Sequence, residues 1–220
     1  MRRILCFGDS NTWGYTAGTG VRYDENQRWT GVLQRELGDA YTVIEEGLNG
    51  RTTVYEHPTL PGRKGIDYLV PCLESQKPLD LVVLMLGTND LRFTDIYGAV
   101  QGIKHLVNTI KLYSHWPETS WIFTGGEGQA RILLVAPILV NPCAYEVDPS
   151  KIPRQYVEHA LRFGELFQKV AQETGCEFLD ASHFAEPDVV DGLHMTKESH
   201  QRLGIAIAEK VKACFAAEEL

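Results

Sequence analysis

"LVVLMLGTND", Leu81 to Asp90, sets six apolar residues in a row and then breaks on a glycine. A strand with one face in water alternates apolar and polar side chains. A strand apolar at every residue is buried on both faces, as when helices cover both sides of a parallel sheet. Counted from Leu79, this run has four counterparts along the chain: Ile4–Phe7, Tyr41–Ile44, Ile132–Ala136 and Glu177–Leu179. Between them, apolar residues repeat at helical spacing. One set is Ile96, Val100, Ile103, Val107 and Ile110; a second is Tyr156, Ala160, Phe163, Phe167 and Val170; a third is Leu203, Ile207, Val211 and Phe215. Strands and helices taken in turn predict a doubly wound, three-layer α/β/α domain, flavodoxin-like, around a five-stranded and mainly parallel sheet. No repeat, low-complexity tract or linker divides the 220 residues. One domain spanning 1–220 is expected, with loop insertions near 114–129 and 138–153.

Such a fold builds its ligand site outside the carboxyl ends of its strands. The first strand is followed by Gly8-Asp9-Ser10, the second by "EEGLNGRTT" (Glu45–Thr53), and the third by "GTND" (Gly87–Asp90). The fourth runs into "APILVNP" (Ala136–Pro142), and the last into "HFAEPDVVDGLHMT" (His183–Thr196). Ser10 at a strand-to-helix turn has two readings, a helix cap and a nucleophile. No G-x-S-x-G is present, which sets aside the nucleophile elbow of the α/β-hydrolases. A nucleophilic serine needs a base with an orienting carboxylate, and "DGLH" offers His194 with Asp191 three residues before it. The competing reading of that loop is a metal site of Asp188, Asp191 and His194. It lacks a second histidine at ligand spacing, since His200 falls on the following helix. Donors for a developing oxyanion are available in Gly50 and in the Asn89 side chain, although both residue types are also common in turns. Asp9 and Asp90 are assigned to holding turns.

These four blocks resemble the SGNH, or GDSL-type, hydrolase superfamily: "FGDSNTWGY", "EEGLNGRTT", "VVLMLGTNDL" and "DGLHMT" occur in the superfamily's order and span nearly the whole chain. The wording of "ILCFGDSNTWGY", "RWTGVL" and "EEGLNGRTT" is similar to the bacterial arylesterase and acyltransferase branch. The resemblance implies Ser10 as nucleophile, His194 as base and Asp191 as its orienter. It also implies an oxyanion hole of the Ser10 N–H, the Gly50 N–H and the Asn89 side chain, with no metal or organic cofactor. The expected activity is hydrolysis of acetyl, short-chain or aryl carboxylic esters through an acyl-enzyme, with acyl transfer to alcohols as a variant. Thioesters and carbohydrate acetates are alternatives on the same triad; a non-catalytic small-ligand-binding module is the alternative of another class. Trp13, Tyr15 and Trp29 are near Ser10 in sequence and are candidates for the substrate pocket. For Trp116, Trp121 and Phe123 the open roles are a lid, a pocket wall, the interface of a homo-oligomer, or plain packing.

Composition excludes other classes. A formal charge of −8 argues against non-specific nucleic-acid binding, which needs clustered Lys and Arg. "GTGVRY" and "GGEGQA" lack the third glycine of a dinucleotide site, and no P-loop is present. The apolar stretch after Arg2 and Arg3 is too short for a signal-peptide core, and no run reaches the roughly 18 apolar residues of a membrane span. Five cysteines (Cys6, Cys72, Cys143, Cys176 and Cys214) are odd in number and contain no C-x-x-C. Free thiols in the cytoplasm are the expectation.

Overall fold

The apolar runs form the five strands: β1 Arg2–Gly8, β2 Tyr41–Gly47, β3 Leu81–Met85, β4 Arg131–Ala136 and β5 Glu177–Asp180. They pair in the order β2-β1-β3-β4-β5, and all four pairings are parallel. The computed structural model describes residues 1–115, 128–147 and 152–216. Trp116, Trp121 and Phe123 lie outside the described residues.

Consecutive residues of a strand point to opposite faces, so an unbroken apolar strand supplies two cores at once. Leu5, Phe7, Val82, Leu84, Ile132 and Leu134 face one layer of helices. That layer holds α3 (Gly65–Gln76), α4 (Ile96–Tyr113), α6 (Arg154–Ala160) and α7 (Phe163–Thr174). Ile4, Cys6, Leu81, Val83, Met85, Leu133 and Val135 face the other, made by α2 (Trp29–Leu37) and α8 (Lys197–Phe215). The remaining helices are short: α1 (Ser10–Trp13) directly after β1 and α5 (Cys143–Val147) after β4. All five residues of β3 are buried. The periodic apolar sets of α4 and α8 are the buried faces of those helices. Tyr156 to Val170, one period in the sequence, is two helices separated by a turn at Leu161-Arg162. The restart seats the first turn of α7 on the end of β5, where a Cβ at Gly164 would stand 2.0 Å from Asp180 Oδ2.

Strand order reverses at β1, whose chain neighbour β2 lies on one side and β3 on the other. Loops leaving β1 and β3 therefore diverge, and a crevice opens at their carboxyl ends. Among the described residues, no helix is long and apolar enough to cross a membrane.

Candidate active site

β1 runs out at Gly8, and Asp9 turns the chain into α1. Asp9 Oδ1 accepts the Asn11 N–H at 3.0 Å, so Asp9 is the cap and Ser10 is the first residue of the helix. That removes the capping role considered for Ser10. The close packing of α1 on the sheet depends on Gly47, where any Cβ would stand 2.2 Å from the Trp13 nitrogen.

Ser10 and His194, 184 positions apart, meet with Ser10 Oγ 3.0 Å from His194 Nε2. His194 Nδ1 lies 2.6 Å from Asp191 Oδ2. With that N–H donating to the carboxylate, Nε2 is left to accept the Ser10 hydroxyl. The second Asp191 oxygen accepts the backbone N–H groups of Leu193 and His194 at 2.9 and 3.0 Å. Burial pushes the Asp191 carboxyl up, but these hydrogen bonds and the imidazole outweigh it, leaving Asp191 below the ordinary carboxylate range.

Two features anchor this loop, and sequence reasoning singled out neither. Gly192 O accepts the Asn141 N–H at 2.9 Å. The Asn11 side chain grips both neighbours of His194: its Nδ2 donates to the Leu193 carbonyl at 3.1 Å, and its Oδ1 accepts the Met195 N–H at 2.9 Å. Asn11 stands in the first block, but a side chain bonding to a distant backbone leaves no pattern in a single sequence.

Gly50 sits in the turn after β2 with φ of +74°, a left-handed backbone that favours glycine. Added bulk would meet nothing closer than 3.8 Å, so backbone conformation rather than crowding requires glycine there. Among the described residues, the N–H groups of Ser10 and Gly50 make no hydrogen bond within the chain. Asn89 is buried in the loop after β3 and donates from Nδ2 to the Arg51 carbonyl at 3.1 Å. Its second amide hydrogen is uncommitted.

Arg51 and Asp90 tie these loops together. The buried Arg51 guanidinium lies over the Phe7 ring and donates to the carbonyls of Gly8, at 2.9 Å, and Glu46. Asp90 accepts the Thr53 N–H on both oxygens at 3.1 Å, and the Thr53 hydroxyl as well. Both aspartates beside the site are buried. Burial raises Asp90 to about 7 against the pull of the Thr53 bonds, and raises Asp9 to about 6.

Of the three candidate pocket aromatics, Tyr15 lies on the His194 ring, with centroids 4.2 Å apart, and Trp13 lies 6.4 Å beyond Tyr15. Trp29 is not a pocket wall. It is fully buried in the core between the sheet and α8, and the Trp29 backbone N–H donates to His200 Nδ1 at 3.2 Å. His200 is buried too, and burial with the nearby Arg28 holds it down at about 3, a neutral core histidine rather than a ligand. Asp188 spends an oxygen on the Val190 N–H at 2.9 Å. Among the described residues, no group of three or more His, Cys, Asp or Glu side chains is placed to hold a metal ion.

Comparison with known proteins matches the chain to a family. A family model described as GDSL-like lipase/acylhydrolase matches residues 6–202. Among solved structures, Est24, a carbohydrate acetylesterase from Sinorhizobium meliloti, is 35% identical, with a TM-score of 0.89 over 98% of this chain and 100% of that one. The native aryl esterase of M. smegmatis is 33% identical, with a TM-score of 0.85 over 97% and 99% of the two chains. A lipase/acylhydrolase from Enterococcus faecalis shares the fold at 19% identity, with a TM-score of 0.65 over 97% of each chain. Curated protein sequences yield no match.

Proposed function

Because the chain belongs to the GDSL-like lipase/acylhydrolase family, we propose that it hydrolyses small carboxylic esters through an acyl-enzyme on Ser10. The observation that carries this reading is the continuous series Asp191–His194–Ser10, with contacts of 2.6 and 3.0 Å. His194 Nε2 takes the Ser10 proton as Oγ attacks the ester carbonyl, and Asp191 steadies the imidazolium that forms. The carbonyl oxygen, now negative, accepts hydrogen bonds from the Ser10 and Gly50 N–H groups and the Asn89 amide. Two uncommitted N–H groups and a spare amide hydrogen support that role. Collapse of the intermediate passes the proton from His194 to the leaving alcohol and leaves the acyl group on Ser10. Water then gives a proton to His194 and attacks the acyl carbon. Ser10 recovers its proton as the carboxylic acid departs. An alcohol in place of water yields acyl transfer instead.

Tyr15 and Trp13 offer an aromatic wall beside the base, suited to a short acyl or aryl group. Two relatives are named for aryl esters and carbohydrate acetates, and both classes fall within this chemistry. Five free cysteines accord with a reducing compartment such as the cytoplasm. Replacing Ser10 with Ala is the direct test. Turnover of phenyl acetate and labelling by an alkyl phosphonate at that position should both vanish, while the circular dichroism spectrum is unchanged. Undiminished turnover in the folded variant refutes the mechanism.

A further inference from the structure

Among the described residues Arg63 has no acidic partner, and it is packed against the Gly50 turn. A Cβ on Gly50 would stand 3.8 Å from Arg63 Cδ and 3.9 Å from its Nε. The backbone of Arg63 is fixed to the same loop, because its carbonyl accepts the Thr52 N–H at 2.9 Å. Its side chain is poorly satisfied. Nε is buried with no hydrogen-bond partner, and Nη1 reaches only the Pro61 carbonyl at 3.3 Å. Acidic residues outnumber basic ones 29 to 21 in this chain, yet Arg63 forms no ion pair among the described residues. An arginine that pairs with no described carboxylate, beside a proposed oxyanion donor, has a site to offer a ligand.

The charges around the neighbouring hollow are otherwise balanced. The residues on either side of Arg63, Gly62 and Lys64, line a hollow of about 440 Å³ that reaches back to Gly47, Leu48 and Arg51. Two carboxylates border it as well, Glu46 and Asp67. Asp67 is engaged by Lys64 at 3.1 Å, and Glu46 lies close to Arg51. Neither carboxylate is paired with Arg63. A guanidinium presents a planar fork that matches a carboxylate at two points.

We propose that Arg63 forms an anion subsite beside Gly50, which selects esters carrying a carboxylate in addition to the bond that is cleaved. The inference rests on the oxyanion role proposed for Gly50. The carboxylate can belong to either half of the ester. Two pairs of probes separate these sources: 4-acetoxybenzoate against phenyl acetate, and phenyl hydrogen succinate against phenyl pentanoate. For each pair the ratio of kcat/KM values, anionic over neutral, is measured in the wild type, Arg63→Gln and Arg63→Lys. Dividing the wild-type ratio by the Arg63→Gln ratio cancels intrinsic reactivity.

In one pair that quotient should be about 10 or more, the size of one charge-assisted hydrogen bond. It should shrink as salt is raised. Arg63→Lys should keep part of the preference, and the neutral ester should be turned over equally by all three proteins, which also shows that the variants fold. A quotient near one in both pairs overturns the subsite. So does an equal loss on neutral and anionic esters in Arg63→Gln, which would make Arg63 a support for the turn. A wild type that cleaves none of the four esters refutes the esterase reading itself and takes the subsite with it.

Discussion

Asp90 is fully buried beneath the site and faces Thr53, and burial lifts its carboxyl from 3.8 to about 7. Ionising it inside the folded chain therefore costs about 4 kcal/mol relative to ionising it in the unfolded chain, at roughly 1.4 kcal/mol per pH unit. The sign follows from proton counting. Below about pH 4 both states hold the proton, and the residue contributes no difference. Between about pH 4 and pH 7 the unfolded chain releases the proton while the folded chain keeps it, so stability falls as pH rises. Above pH 7 the full cost is present. Asp90→Asn carries no such titration and still offers Thr53 an acceptor. Urea unfolding followed by tryptophan fluorescence, for wild type and variant at pH 4.5 and pH 8, measures the effect. The variant should gain on the wild type across that interval by a few kcal/mol, whatever fixed offset the amide introduces. Stability curves that run parallel from pH 4.5 to pH 8 would refute the argument.

Three other substitutions separate the remaining roles. Asn89→Ala should lower kcat on phenyl acetate by about 10²–10³-fold with little change in KM, as loss of one oxyanion donor does; an unchanged kcat removes Asn89 from the hole. Trp29→Ala should destabilise the fold by about 3–5 kcal/mol in chemical denaturation while leaving relative rates on small and large esters unaltered, because the ring fills the core. A changed selectivity with little loss of stability would return Trp29 to the pocket. Tyr15→Leu should reduce kcat/KM about 10-fold by removing the ring face on which the His194 imidazolium rests, and Tyr15→Phe should restore it. Equal losses in both would assign the effect to the hydroxyl.

The sheet was legible because a residue buried on both faces has to be apolar at every step, and Leu81–Met85 obeys that rule without exception. Helix α4 was legible for the corresponding reason, an apolar face repeating under an Asp95 cap that accepts the Gly98 N–H. Helix α3 left a weaker trace because it carries Pro71 in its interior. Ser10, Gly50, Asn89, Asp191 and His194 stand in the sequence as blocks at strand ends, and the structure brings Ser10, His194 and Asp191 into contact. Trp29 was misjudged because nearness in sequence to Ser10 says nothing about direction, and the chain turns its ring inward between the sheet and α8. Asn11 and Arg51 act through backbone carbonyls and N–H groups on other loops, and Arg63 is singled out by having no acidic partner among the described residues. Neither property has a period or a motif, so only coordinates reveal them.

The grip of Asn11 on the histidine loop has a practical meaning for redesign. Among the described residues, its side-chain amide hydrogen-bonds to the main chain of Leu193 and Met195. Side chains elsewhere on that loop, such as the exposed Val189 and Val190, take no part in it. Substitutions at those two positions should therefore leave the Asn11 hydrogen bonds, and with them the seat of His194, in place. Surface change and loop anchorage are separable on this segment, and Asn11 is the position to leave untouched.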